Sequence, residues 1–280
     1  MLRHVNPPHA ASIHCTSQPC QARTRGTLQG MNRDDLVHYL DTTLDIHGYP
    51  DPSLNGLQIE GAEEITKVAV AVDASLSTFE QAAEIGADLL FVHHGLFWGQ
   101  PEPVAGMLGR RVRFLLERNI NLYAAHIPLD AHRELGNNWG LGAILGMADL
   151  EPFGTWQGHA IGVKGTFPNP ISLRDLADTV EKQLGESVLV HAGGRMEIHS
   201  LGIISGAAAR DVSTAADEGL DAFLTGEPKH DVFHVPFERG INALFAGHYM
   251  TETVGVNLVA KRLEETFGLE TEFLLLPTGL

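Results

Sequence analysis

The chain has 280 residues, enough for about two domains with substantial cores. Its 44% apolar and 19% charged content is that of a soluble globular protein, and no apolar run approaches the roughly 20 residues of a membrane helix, which points to the cytoplasm. A formal net charge of -16 argues against non-specific nucleic-acid binding, which relies on cations to neutralise phosphates, and two cysteines, Cys15 and Cys20, are too few for a disulfide framework.

The first thirty residues stand apart. They carry Arg3, Arg23 and Arg25 and no acid, so the rest of the chain holds all 35 acids against 16 bases (19 minus 3). Three readings compete: a disordered extension, an upstream start, or an Arg-rich transit peptide. No apolar h-region marks a secretory signal. His14, Cys15 and Cys20 offer metal donors, but in so polar a segment the expectation is a dispensable extension over residues 1–30.

From Met31 the pattern becomes regular. Asn32 or Asp34 caps a helix to Leu44, with Leu36, Val37, Leu40 and Leu44 on one face. Residues 48–56 are a loop by composition, and Leu57–Ile59 is a short strand. Val68–Val72 is a near-continuous apolar run, as suits a parallel strand covered on both faces. Ser75–Gly86 is a helix. Leu89–Val92 is the next strand, and it ends in His93-His94-Gly95. Strand C-termini are where open α/β sheets place ligand chemistry. Neighbours on a strand point to opposite faces, so the two histidines serve one site only if the strand has ended or if they hold different ions.

Arg110–Arg118 is a helix, Ile120–Ala125 a strand closed by His126-Ile-Pro-Leu-Asp130, and Gly136–Gly146 a helix of small residues. From Phe153 to about Met196, glycines at 154, 158, 162 and 165 break up short apolar pieces. Within this stretch Ser172 caps a helix over 173–184, and Val188–Val190 is a strand. The earlier style resumes at Leu201. Lys67…Asp88 lines up with Ser200…Asp221 at a constant offset of 133, since 200 minus 67 and 221 minus 88 agree. Ile120-Asn121 likewise matches Ile241-Asn242. Two related halves with facing strand ends follow. The fold class expected is α/β: two related α/β/α sandwich domains over 31–150 and 151–280, with a metal site in the cleft between them and the C-terminal part returning to it.

Three clusters stand at strand ends: His93 with His94, His126 with Asp130, and His248 with Glu252. Residues four apart share a face where the chain turns helical; Val254, Leu258 and Val259 continue such a stripe after His248, whereas Pro128 weakens that reading for His126 and Asp130. Imidazoles and carboxylates are the donors of a borderline divalent ion, and four histidines with two carboxylates exceed one four-coordinate site. They suit two divalent ions roughly 3.5–4 Å apart, which would lower the pKa of a water between them toward about 7. Zn, Fe, Mn, Co and Ni all remain open, since no cysteine is in the set.

Taken together, Asn55-Gly-Leu-Gln58, Val92-His-His-Gly95, His126-Ile-Pro-Leu-Asp130, Gly136-Asn-Asn138, Thr225-Gly-Glu227 and Gly247-His-Tyr-Met-Thr-Glu252 resemble the Nif-three-like proteins, also called GTP cyclohydrolase I type 2 homologues. The match runs from about Met31 to Leu280. The resemblance implies a dinuclear site between two α/β domains and a hexameric ring. It implies that His93 and His248 hold one ion, that His94 and Asp130 hold the other, and that Glu252 bridges them. His126 lines the site. Glu227, at the repeat position of His94, and His126 are the candidate reacting groups beside a metal-held water. Trp98 and Phe97 could form a stacking wall for a base, but ordinary packing is the favoured expectation for them, since aromatics mostly bury area. His230 and His234, which flank Asp231, read as surface residues, and His159 sits in a Gly-rich run with no evident partner. The function expected is metal-dependent hydrolysis of a small nucleotide or phosphate-bearing metabolite; the competing reading is a non-catalytic metal-binding or regulatory scaffold. A cysteine-bearing cyclohydrolase zinc site is not expected, because no cysteine follows position 20.

Overall fold

The computed structural model describes residues 30–280; Cys15, Cys20 and the rest of the N-terminal segment lie outside the described residues. In chain order the elements are β1 (Met31–Asn32), α1 (Arg33–Leu44), β2 (Gly56–Ile59), β3 (Glu64–Ile65), β4 (Lys67–Asp73), α2 (Leu76–Glu84), β5 (Leu89–His94), α3 (Gly106–Arg118), β6 (Asn121–Ala124), α4 (Ile127–Ala131), α5 (Asn137–Ile144), β7 (Ala148–Trp156), β8 (His159–Ser172), α6 (Leu173–Leu184), β9 (Leu189–Ala192), β10 (Glu197–Ile203), α7 (Val212–Asp217), β11 (Ala222–Thr225), α8 (Val235–Arg239), β12 (Asn242–Phe245), α9 (His248–Thr251), α10 (Thr253–Phe267) and β13 (Glu270–Phe273).

Two sheets carry the fold, beside the small β1–β3 pair. The first is five-stranded in the order β13-β4-β5-β6-β2, parallel except for β2. Alternate residues of β4 explain its two covers. Val68 and Val70 pack with Leu36 and Leu40 of α1 and with Val259 and Leu263 of α10. Ala69 and Ala71 pack on the other face with Phe79 of α2 and Leu115 of α3. The second sheet has six strands in the order β7-β8-β10-β11-β12-β9, with β10, β11 and β12 parallel. Leu201 and Leu224 pack against Leu176 and Val180 of α6, and Phe223 packs against Val212 and Ala215 of α7. Each sheet is therefore sandwiched by helices, which is the expected fold class. Among the described residues no helix is long and apolar enough to cross a membrane.

The sequence repeat is a repeat of hydrogen bonding. Asp88 Oδ2 accepts from the amides of Thr66 and Lys67 and from the Thr66 hydroxyl. Asp221 Oδ2 accepts from the amides of His199 and Ser200 and from the Ser200 hydroxyl. Asn121 donates to the Asp88 carbonyl and Asn242 to the Asp221 carbonyl. In both halves these side chains set the register at the entry to three parallel strands, so the opposite, C-terminal ends come out level. Those ends carry the clusters.

The glycine-punctuated middle is a long antiparallel hairpin, β7–β8, turning at Gln157–Gly158. Its glycines serve close approach: a Cβ on Gly162 would stand 2.5 Å from the Ile203 carbonyl oxygen. At the sheet–sheet boundary, Gly140 of α5 similarly admits Val254 of α10, where a Cβ would meet Cγ1 at 2.5 Å. The helix bearing Glu252 at its entrance thus seats directly on α5.

Candidate metal centre

β5 runs through both histidines, and its two flanks separate them. His93 turns toward β6, and its Nδ1 meets the Ala125 carbonyl oxygen at 2.9 Å. His94 turns toward β4, and its Nδ1 meets Asp73 Oδ1 at 2.8 Å. α4 begins immediately after His126, with Pro128 inside its first turn, where a missing N–H is harmless. The helix buries Asp130, and Pro128 leaves intact the helical bond from Asp130 N to the His126 carbonyl. On the other side, α9 and α10 bring His248 and Glu252 across from the second sheet.

All the histidines at this place are anchored through one nitrogen. His126 Nδ1 meets Asp51 Oδ1 at 2.9 Å, and His248 Nδ1 meets a Glu227 carboxylate oxygen. Each Nε2 is left facing the common space. Ring anchoring of this kind fixes tautomer and orientation, as around metal-ligating histidines. Glu252 lies among the Nε2 atoms: Oε1 is 3.1 Å from His248 and 3.6 Å from His93, and Oε2 is 3.2 Å from His94. Asp130 Oδ1 is 3.6 Å from His93 Nε2, and it accepts from Asn137 Nδ2 and Ser205 Oγ.

Three donor groups lie within 4.8 Å: His93, Asp130 and Glu252; His94, His248 and Glu252; and His93, His94 and His126. This differs from the pairing that the resemblance implies. His93 groups with Asp130, and His94 with His248. Each ring follows its anchor: His93 is held beside β6 by the Ala125 carbonyl, and His94 beside β4 by Asp73. Glu252 belongs to both carboxylate-bearing groups.

Two buried polar atoms here have no hydrogen-bond partner among the described residues: His93 Nε2 and Glu252 Oε2. Such atoms are rare without an ion or water to satisfy them. Their donor chemistry, imidazole nitrogen and carboxylate oxygen, fits a divalent metal.

In the metal-free chain the groups balance one another instead. Burial pushes His93 down, but the Asp130 and Glu252 carboxylates push it further up, to about 9. Burial lowers His248 too, and Glu252 and Glu227 overcome this, to about 9. Burial raises Glu252, but His93, His248 and His94 draw it well below the usual carboxylate range. The histidine contribution to stability is therefore full below their ordinary value of 6.5 and lost as pH rises through about 9. The Glu252 contribution is full above 4.5 and lost as pH falls through its lowered value. Thermal melts in chelator should show a lower midpoint at pH 10 than at pH 7; equal midpoints would contradict the coupling.

Some of the constellation escaped the sequence reading. Asp51, in the composition-defined loop, takes His126, the amides of Ser53 and Ile127, and Asn55. Asp73 was legible in principle, as the one acid closing an apolar strand. Glu227 orients His248 and is not itself in a donor group. His159, His230 and His234 are exposed and join no such group, and Asp231 pairs with Arg210.

Known proteins share this framework. A "GTP cyclohydrolase 1 type 2 homolog" of Deinococcus radiodurans is 52% identical over 265 residues, spanning 95% of this chain and all of that protein. A homologue of the same name in Archaeoglobus fulgidus is 41% identical over 250 residues, 89% of this chain and all of its own length. The crystal structure of TTHA1606 from Thermus thermophilus superposes with a TM-score of 0.82 at 47% identity, covering 89% of this chain and all of that one. The model of one family, Duf34/NIF3 (NGG1p interacting factor 3), matches residues 31–278, and the chain belongs to that family.

Proposed function

We propose that the chain binds two divalent metal ions and is a metal-dependent hydrolase of a small, phosphate-bearing metabolite. The observation that carries the first part is the pair of buried, unpartnered donors, His93 Nε2 and Glu252 Oε2, inside a ring of histidines anchored at Nδ1. His93, Asp130 and Glu252 would hold one ion. His94, His248 and Glu252 would hold the other. When bound, such a pair supplies Lewis acidity and lowers the pKa of a water ligand. Zn, Fe, Mn, Co and Ni all suit these donors.

The chain's own residues supply the rest. His126, held by Asp51, stands beside both His93 and His94 at ring-centroid distances of 5.0 and 5.6 Å. It lacks a carboxylate partner within the donor groups, so it is the side chain left to carry a proton to or from substrate. Glu227 positions His248. Arg111 supports an anionic substrate: it lines a cavity of about 390 Å³ with Asp73, His94 and Ser75, and it forms no ion pair among the described residues. The chain is read as two domains over 31–150 and 151–280, with α10 and β13 of the second crossing back to cover and extend the first sheet, and as assembling into a homo-hexamer.

The test is metal content followed by turnover. Metal-loaded protein should hydrolyse at least one member of a panel of nucleotides and phosphomonoesters and phosphodiesters, and chelated protein should hydrolyse none. Two bound ions without turnover on any of them would favour the scaffold reading.

A further inference from the structure

Beside the metal cluster lies a cavity of about 510 Å³, within the range of small-molecule sites. It is bounded by Asp51, Ser53, Leu54, Leu96, Phe97 and Trp98. We propose that it is a subsite for a neutral, planar aromatic or heteroaromatic ring of the substrate, stacked on Trp98. The proposal rests on the hydrolase reading for the word substrate, but the ring-binding property stands on its own observations.

The walls are held in place. Ser53 and Trp98 form an antiparallel bridge, Leu54 N donates to the Phe97 carbonyl at 2.9 Å, and Gly99 N donates to the Pro52 carbonyl at 2.6 Å. Trp98 has no rotational freedom to spare. Its Nε1 donates to the Gly95 carbonyl at 2.9 Å, and its ring abuts His126 at 4.9 Å and His94 at 5.9 Å between centroids. Yet the residue stays 38% exposed and Leu54 58% exposed, an unusual concentration of large apolar surface beside one cavity. A fixed indole with an open face favours a flat partner over a puckered one, because the partner stacks without rearranging the wall.

The polar groups select charge. Asp51 is fully engaged by His126, the Ser53 and Ile127 amides and Asn55, so it has no oxygen to spare for a cationic ligand. No Lys or Arg is among the residues that bound the cavity, and Glu102 is, so an anion is disfavoured. One demand remains. Ser53 is only 6% exposed, and its Oγ has no hydrogen-bond partner among the described residues. That oxygen is shielded from solvent, so a ring substituent or ring nitrogen satisfies it once the Ser53 side chain turns toward the cavity. Since Trp98 and Asp51 both touch His126, a ring held here lies at the edge of the reacting groups.

The experiment uses the full chain, metal-loaded and chelated, with 2-naphthol as probe and its saturated analogue decahydro-2-naphthol as control. Both offer one hydroxyl; only the first is planar. Calorimetry should show 2-naphthol binding about tenfold more tightly than the control in both preparations. Trp98→Leu should erase that preference, Trp98→Phe should restore most of it, and Ser53→Ala should weaken 2-naphthol severalfold. Circular dichroism checks that each variant is folded, and Ser53→Ala keeps the test open should Trp98→Leu not fold. Equal affinity for the two alcohols, or a preference that survives both Trp98→Leu and Ser53→Ala, overturns the proposal. Naphthol binding in a protein that never takes up metal sinks the metal reading and leaves the ring subsite standing. Two ions bound with no planar preference does the reverse.

Discussion

Glu252→Gln is expected to remove both ions from the chain. The wild-type protein should carry about two per chain, by the two-metal arithmetic. One carboxylate faces three imidazoles, with Oε1 toward His93 and His248 and Oε2 toward His94. It is the residue common to both carboxylate-bearing donor groups. Glutamine keeps the shape but replaces one acceptor by an NH₂ donor, which repels a cation and cannot ligate. It also deletes the negative charge that keeps His93 and His248 protonated in the metal-free fold. Breaking a buried charge pair in this way costs about 3–5 kcal/mol. Mass spectrometry of dialysed protein should find well under half of the wild-type metal, and urea unfolding in chelator should show the stability loss. His93→Ala should also show a clear metal deficit. Retention of two ions by Glu252→Gln would end the shared-ligand reading.

Gly206→Ala should damage the same centre from the backbone side. Gly206 has φ +64°, and a Cβ there would stand 2.3 Å from Glu252 Oε1 and 3.2 Å from His248 Nε2. The glycine cannot retreat. Its N–H donates to Thr251 Oγ1, and its carbonyl accepts from the amides of Gly226 and Glu227 and from the Thr225 hydroxyl. The carboxylate must therefore leave its place among the imidazoles. Metal affinity should fall about 10–100-fold, as when the supports of metal ligands are removed. Backbone strain should cost about 1–3 kcal/mol besides. Gly219→Ala separates the two effects: its φ is +72°, but its Cβ would meet nothing within 4 Å. That variant should lose stability and keep its metal. If the two alanine variants bind metal equally well, the close packing at Gly206 is irrelevant to the site.

The architecture was legible where residue identity and structural task coincide. Asp88 and Asp221 recur at one spacing because each receives the same amides, and β4 and β5 are apolar because helices cover both faces. The donor residues stood out because imidazoles at the end of a buried strand have no packing purpose. The β7–β8 hairpin did not stand out. Its glycines, prolines and exposed outer positions mimic a loop, and the close approach of the Ile203 carbonyl is invisible along one strand. β13 was missed because Glu270-Thr-Glu-Phe273 is a short edge strand, paired with residues some 200 positions earlier. The partner Asp51 was hidden for a similar reason: an acid in a loop gives no sign in sequence of which histidine it will hold. The division of the candidate donors between groups depends on which neighbour anchors each ring, and spacing does not encode that.

The register of β13 against β4 bears on how the polypeptide comes off the ribosome. Glu270 pairs with Lys67 and Phe273 with Val70, so the outer edge of β4 stays open until translation is nearly done. The donors arrive on the same schedule: His248 follows Asp130 by 118 residues (248 minus 130), and Glu252 comes later still. A nascent chain thus displays His93, His94 and Asp130 without the carboxylate that serves both groups. Any metal loading that needs both carboxylate-bearing groups would thereby wait for the finished molecule.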